Sequence, residues 1–231
     1  MLAVLLLMRE GSTRLPGKLL CKVGLKTLAE VAITKSLKAG QDTNTPVFAF
    51  LSEGDQQLCS IANHFHCPII FRSDESVKAS SADKLFDDQL VESLKEKGID
   101  RILSPNTCMP FLTIPTIKEF IGKAKEAKRQ FITVQKHQGW VFDNLGRKIW
   151  DQGNKWGCTN EGDSYQIVCP AFLYYPRRVF GTSTMLDFDL VPVPHTPEFA
   201  FDVDTADDLK MARVWEKSQR FYSGIGIAEL G

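Results

Sequence analysis

The chain has 231 residues, enough for one α/β domain with a sizeable core. Lys plus Arg and Asp plus Glu each number 28, so no net charge points to nucleic acid, and no basic block or RNA-binding motif appears. The six cysteines form no C-x-x-C pair, which argues against zinc and fits a reducing compartment.

Leu2 to Met8 is an unbroken apolar run, as expected of a strand buried on both faces. It is too short to span a bilayer and has no basic leader or small-residue cleavage site, so a cytoplasmic protein without a membrane partner is expected. The loop Arg9-Glu10-Gly11-Ser12-Thr13-Arg14-Leu15-Pro16-Gly17-Lys18 follows at once. Arg9, Arg14 and Lys18 are cations, Ser12 is a hydroxyl anchor, and Gly11 and Gly17 let backbone approach a ligand. Backbone N–H groups with Arg and Lys suit a polyphosphate. Open α/β sheets bind ligands beyond the carboxyl ends of their strands, where this loop falls. A solvated basic turn is the alternative. Neither G-x-x-x-x-G-K-[ST] nor G-x-G-x-x-G is present, which disfavours a P-loop ATPase and a nicotinamide-binding domain.

Further along, Leu28 to Ala39 reads as a helix with Gly40 as its C-cap. Pro46 to Leu51 is a strand, and Asp55 to Phe65 carries Leu58, Ile61, Ala62 and Phe65 at helical spacing. Pro68 to Phe71 is a third strand. Ser81 can cap a helix that turns Leu85, Phe86, Leu90, Val91 and Leu94 inward and ends near Gly98. Ile102 and Leu103 make a fourth strand, Thr113 to Ala127 a helix, and Phe131 to Val134 a fifth strand. This alternation predicts an α/β fold with a Rossmann-like, mostly parallel sheet.

The second half changes character. Trp140-Val141-Phe142 and Lys148-Ile149-Trp150 flank Asp143 to Arg147, which reads as a β-hairpin. Its aromatics, with Trp156, read as hairpin packing or a dimer face. Asp151 to Ser164 is a polar loop, Tyr165 to Tyr175 is strand-like, and Thr205 to about Arg220 is a helix packing Leu209, Ala212, Val214 and Trp215. No linker separates two domains, so residues 1–231 are expected to form one, with an insertion at about 138–164.

Asp202 and Asp204 are two apart and fall on one side of an extended backbone. Two such carboxylates repel unless a cation lies between them, and Mg²⁺ takes carboxylate and phosphate oxygens. Thr205, Asp207 and Asp208 read as the start of the last helix. The segment Leu103 to Leu112 follows the fourth strand, and its Asn106 and Thr107 can hydrogen-bond a ribose or base, or form an ordinary Asn/Pro turn. Gln135 and Lys136 follow the fifth strand, where they can meet a ligand or lie at a solvated strand exit. His64 and His66 read as surface residues at a helix end.

The opening R-x-G-S-x-R-L-P-x-K resembles the sugar cytidylyltransferases: the acylneuraminate and 3-deoxy-manno-octulosonate enzymes and the spore-coat polysaccharide proteins. The D-x-D-[ST]-x-x-D run at 202–208 is similar to that family's metal segment. The resemblance implies a nucleotide-diphospho-sugar transferase fold whose insertion serves sugar binding and a homodimer. It implies that Arg9, Gly11, Ser12, Arg14, Lys18, Ser81, Asn106 and Thr107 surround CTP, with Arg9 and Lys18 catalytic. Gln135 and Lys136 would meet a small acidic sugar, and Asp202 and Asp204 would hold Mg²⁺. The octulosonate and spore-coat branches carry an acid where Cys108 stands, whereas the acylneuraminate branch does not. The expected reaction transfers CMP from CTP to the anomeric hydroxyl of the sugar. A nucleotidyltransferase using another nucleotide or a sugar phosphate, and a non-catalytic nucleotide-binding protein, remain as alternatives.

Overall fold

The computed structural model describes residues 1–73, 76, 88–137, 141–142, 145, 148–150, 165–176, 191–194 and 201–223. Eleven strands and five longer helices lie within them. The chain runs β1 (Leu2–Leu7), β2 (Lys22–Val23), β3 (Lys26–Thr27), α1 (Leu28–Thr43), β4 (Val47–Leu51), α2 (Gln56–His64) and β5 (Ile69–Phe71). It continues with α3 (Asp88–Glu96), β6 (Arg101–Pro105), α4 (Ile114–Glu126), β7 (Phe131–His137), β8 (Val141–Phe142) and β9 (Lys148–Trp150). It closes with β10 (Tyr165–Pro176), β11 (Val191–Pro194) and α5 (Ala206–Ser223).

Seven strands form the main sheet, in the order β11-β7-β10-β6-β1-β4-β5. β1 pairs parallel with β4 and β6, β4 with β5, and β11 with β7. β10 runs antiparallel between β6 and β7. The α/β, mostly parallel expectation therefore holds, but the fifth predicted strand does not sit beside the fourth. β8 and β9 pair as the predicted hairpin.

The sheet is covered on both faces, which explains the continuous apolar strands. Leu2, Val4 and Leu6 of β1 enter the larger core with Leu28 and Val31 of α1 and Phe120 of α4. Ala3 and Leu5 point the other way, against Leu90 and Leu94 of α3 and Tyr175 of β10. Fully burying one such leucine contributes about 1.5–3 kcal/mol, so β1 alone is a large share of what fixes the loop that follows it.

Several boundaries differ from expectation for identifiable reasons. α1 begins at a capping box, with Thr27 N donating to Glu30 (2.6 Å) and Glu30 N to Thr27 Oγ1 (3.2 Å). It runs past Gly40 to Thr43, and Asn44 takes the left-handed cap at φ 50°. Gly40 is instead a close-approach position, where a Cβ would lie 2.5 Å from Val47 Cγ2 and 2.6 Å from the Thr45 carbonyl. β11 was missed because Pro192 and Pro194 argue against a strand, yet prolines are tolerated at a sheet edge. Val214 is exposed rather than packed. The predicted cap Ser81, with Leu85 and Phe86, lies outside the described residues, as do Trp140, Trp156 and the 151–164 loop. Among the described residues no helix is long and apolar enough to cross a membrane.

Candidate functional site

β1 delivers the first loop to the carboxyl end of the sheet. Met8 N donates to the Phe50 carbonyl (3.2 Å), and Thr107 Oγ1 to that of Leu7 (3.0 Å), so the ends of β1, β4 and β6 are stitched together. The loop is braced at its start by α2. Glu10 N donates to Asp55 Oδ1 (2.8 Å), while Glu10 Oε1 accepts from Gln57 N (2.7 Å) and Leu58 N (3.3 Å). A carboxylate at a helix N-terminus satisfies open N–H groups and the dipole. At its far end Gly17 adopts φ 64°, which a residue with a side chain reaches only at a cost, and a 3-10 turn carries Lys18 inward. A Cβ on Gly11 would meet nothing within 4 Å, so this stretch has an open face.

The loop meets the acidic segment between the sheet and α5. Lys18 Nζ donates to Asp204 Oδ1 (2.8 Å), and Arg14 pairs with Asp204 Oδ2 (2.8 Å). The Lys18 side chain is 14 % exposed and that of Arg14 66 %, so the lysine pair is the less screened one. Burial pulls the Lys18 ammonium down, but the Asp204 hydrogen bond and the neighbouring Cys108 outweigh it and leave its pKa raised.

Asp202 lies on the same side of the segment, because Val203 between the two acids is fully buried and donates its N–H to the Cys108 carbonyl (3.0 Å). Asn106 Nδ2 donates to Asp202 Oδ2 (3.1 Å), and Asn106 Oδ1 accepts from Cys108 N (2.9 Å). Burial first, and Asp204 second, hold the Asp202 carboxyl above the usual carboxylate range, against Lys18, Asn106 and Arg14. Thr205 and Asp208 cap α5: Asp208 Oδ2 accepts from Thr205 N (2.7 Å) and Asp204 N (3.1 Å). An aromatic cluster clamps the segment from behind, with the Phe111 and Trp215 rings 4.6 Å apart and Phe201 6.1 Å from each.

Among the described residues no three His, Cys, Asp or Glu side chains form a cluster able to hold a metal unaided. Asp202 Oδ1, however, is buried with no hydrogen-bond partner. Such an oxygen is an open coordination position, and Mg²⁺ characteristically takes one or two carboxylates with waters and phosphate oxygens. Asp202 and Asp204 fit that donor set.

The structure thus brings Arg14, Lys18, Asn106, Thr107, Asp202 and Asp204 to one end of the sheet. Thr107 is buried and serves the Leu7 carbonyl. Arg9 is exposed where the loop leaves the strand, and Ser12 is half-buried within it. Gln135 lies half-buried on β7 opposite Ile167, and Lys136 opposite Gln166. Ser81 is outside the described residues. His64 and His66 are exposed, as expected. Sequence reasoning missed Arg72, which donates from Nη2 to the Met8 carbonyl (2.8 Å) and lies 4.8 Å from the Phe50 ring centroid. It also missed the Glu10–Asp55 brace. A cation directly after a short strand was the available signal for Arg72, and an Asp directly before a helix for Asp55.

The fold, a mostly parallel seven-stranded sheet with one reversed strand between helices, is of the nucleotide-diphospho-sugar transferase-like α/β type. By sequence, no family model matches the chain, and no curated protein matches it. By structure it is similar to CMP:2-keto-3-deoxy-manno-octonic acid synthetase complexed with CTP: TM-score 0.65, 14 % identity, 94 % of this chain and 99 % of that one covered. It is also similar to 4-diphosphocytidyl-2C-methyl-D-erythritol synthase from Anaerococcus prevotii (0.62, 10 %, 94 % and 98 %). A cytidylyltransferase from Leptospira borgpetersenii matches at 0.61 and 13 %, with 99 % and 91 % covered. What the chain shares with these proteins is the fold.

Proposed function

We propose that this protein is a magnesium-dependent cytidylyltransferase that transfers CMP from CTP to the anomeric hydroxyl of a small acidic sugar and releases pyrophosphate. The observation that carries this is the meeting of Lys18 and Arg14 with Asp204, beside the unpartnered Asp202 oxygen. Lys18 and Arg14 share the single Asp204 carboxylate. A triphosphate would draw Lys18 and Arg14 onto its β- and γ-oxygens and free the Asp204 carboxylate.

In this reading Asp202 and Asp204 hold the metal, and Asn106 orients Asp202. Bound there, Mg²⁺ would supply charge neutralisation at the reacting phosphate. Arg9, Arg14 and Lys18 stabilise charge on the departing pyrophosphate, as preorganised electrostatics. The sugar hydroxyl attacks the α-phosphorus and gives its proton to solvent, the bond from the α-phosphorus to the bridging oxygen breaks so that this oxygen leaves with pyrophosphate, and no covalent enzyme intermediate is required. Gln135 and Lys136, on β7, would meet the acceptor. The insertion would serve a homodimer.

A second reading is a nucleotide-binding protein without turnover. The acid-free loop at Cys108 favours it, since burial pushes this thiol up and keeps it neutral, so it adds no carboxylate-like charge. Pyrophosphate release with CTP, UTP, GTP and ATP against a panel of acidic sugars and sugar phosphates tests both. CTP-dependent release with an acidic sugar is expected. Release with another nucleotide, or CTP binding without release, would replace this proposal.

A further inference from the structure

Lys35 is the most deeply buried cation among the described residues, at 3 % exposure. It sits in the middle of α1, and its Nζ donates to the carbonyls of Pro110 (3.0 Å) and Leu112 (2.9 Å). These carbonyls close the irregular stretch from Asn106 to Leu112. Asn106 opens that stretch and binds Asp202, and the Cys108 carbonyl receives Val203 N. A cavity of about 10 Å³ borders both Lys35 and Asn106, room for about one water. Burying an ammonium is costly, and a methionine would fill the same space without that cost. What the lysine adds is three N–H donors at one point, two of them spent on this loop.

We propose that Lys35 is a positioning residue for the acidic segment: its ammonium holds the Pro110 and Leu112 carbonyls and thereby sets the loop from which Asn106 and Cys108 place Asp202 and Val203. The kinetic consequence rests on the cytidylyltransferase reading, whereas the structural consequence does not. Burial, with a smaller push from Lys26 on β3, brings the Lys35 pKa down to about 8. Among the described residues, those that line the cavity beside it carry no charge: Leu6 of β1, Ser36 of α1, Asn106 and Thr107 after β6, and Ile117 of α4. The hold is therefore charge-assisted below pH 8 and weaker above it.

The test compares the parent with Lys35→Met and Lys35→Arg by site-resolved alkylation at pH 7 and by steady-state kinetics. Cys108 reports on the loop and the buried Cys67 on the whole fold. Lys35→Met is expected to speed Cys108 labelling about tenfold with Cys67 unchanged, and to raise the Mg²⁺ half-saturation for CTP turnover about tenfold, as loss of an outer-shell partner does. Parent kcat/KM should fall above about pH 8. That step should vanish in Lys35→Arg, which stays charged, at the parent's plateau, and in Lys35→Met at a lower one. Unchanged Cys108 labelling, equal acceleration at Cys67, or an alkaline step persisting in both variants would overturn the proposal. A parent without CTP turnover would sink the functional reading, and Cys108 labelling alone would then decide the role of Lys35. Should Lys35→Met not fold, Lys35→Gln, which keeps N–H donors without charge, carries the same labelling comparison.

Discussion

Lys18 Nζ and Asp204 Oδ1 lie 2.8 Å apart although 186 positions separate them in the chain. The contact joins the loop after the first strand to the segment before the last helix. The lysine is largely enclosed and the arginine sharing its partner is not. The Lys18 pair is therefore the less screened of the two ion pairs at Asp204, and the Arg14 pair the more open to solvent.

If these cations act on phosphates, Lys18→Ala and Arg9→Ala should each lower kcat/KM for CTP by about 2–4 kcal/mol of transition-state stabilisation. Lys18→Ala should also leave Asp204 with only its exposed arginine. Steady-state kinetics on the folded variants checks this, and unchanged kcat/KM in both would remove the phosphate role.

Asp202→Asn should keep the Asn106 contact region folded yet raise the Mg²⁺ requirement at least about tenfold. Asp204→Asn should do the same while also loosening Lys18. Activity titrated against Mg²⁺ separates the two outcomes: a parental curve in either variant would remove that carboxylate from the metal set.

Gly40→Ala should destabilise the protein, against the ordinary preference of about 1 kcal/mol for alanine inside a helix. The new methyl would press on the Thr45 carbonyl and on Val47, both within 2.6 Å of its ideal position. Backbone cannot yield as a side chain can, so a net loss of about 1–3 kcal/mol is expected. Urea denaturation reads the sign directly, and a gain in stability would show that α1 and β4 are less tightly apposed than the distances state.

Lys35 gives a pH dependence of global stability. Its folded pKa of about 8 lies below the ordinary 10.5. The unfolded chain thus holds the extra proton between these values, and stability rises with pH across that window. The contribution is complete above the unfolded value and lost as pH falls through the folded one. It amounts to about 3 kcal/mol at most. Denaturation of parent and Lys35→Met at pH 7.5 and 9.5 should show the parent gaining relative to the variant at the higher pH. A constant difference would mean that the ammonium is not held as described.

The sheet was legible in the sequence wherever a strand is buried on both faces, as Leu2 to Leu7 and Val47 to Leu51 are, because their apolar runs are unbroken. The position of β7 was not legible, since adjacency depends on β10 inserting in the reverse direction from a distant part of the chain. The loop cations and the Asp202/Asp204 pair were visible as local patterns. Their meeting at Asp204 was not, because no local spacing encodes a contact across the whole domain. Lys35 looked like any helical lysine. Only the Pro110 and Leu112 carbonyls, supplied by another part of the chain, turn it into an internal cation.

The prolines of β11 also settle how this sheet meets other chains. Val191 N points inward, to the Gln130 carbonyl, so the period of two aims the backbone nitrogens of Pro192 and Pro194 outward. Neither carries a hydrogen, which leaves that border with acceptors and no donors between Val191 and Pro194. An incoming strand needs both partners in alternation and finds only one. Among the described residues, this border resists edge-to-edge growth by the composition of the strand itself.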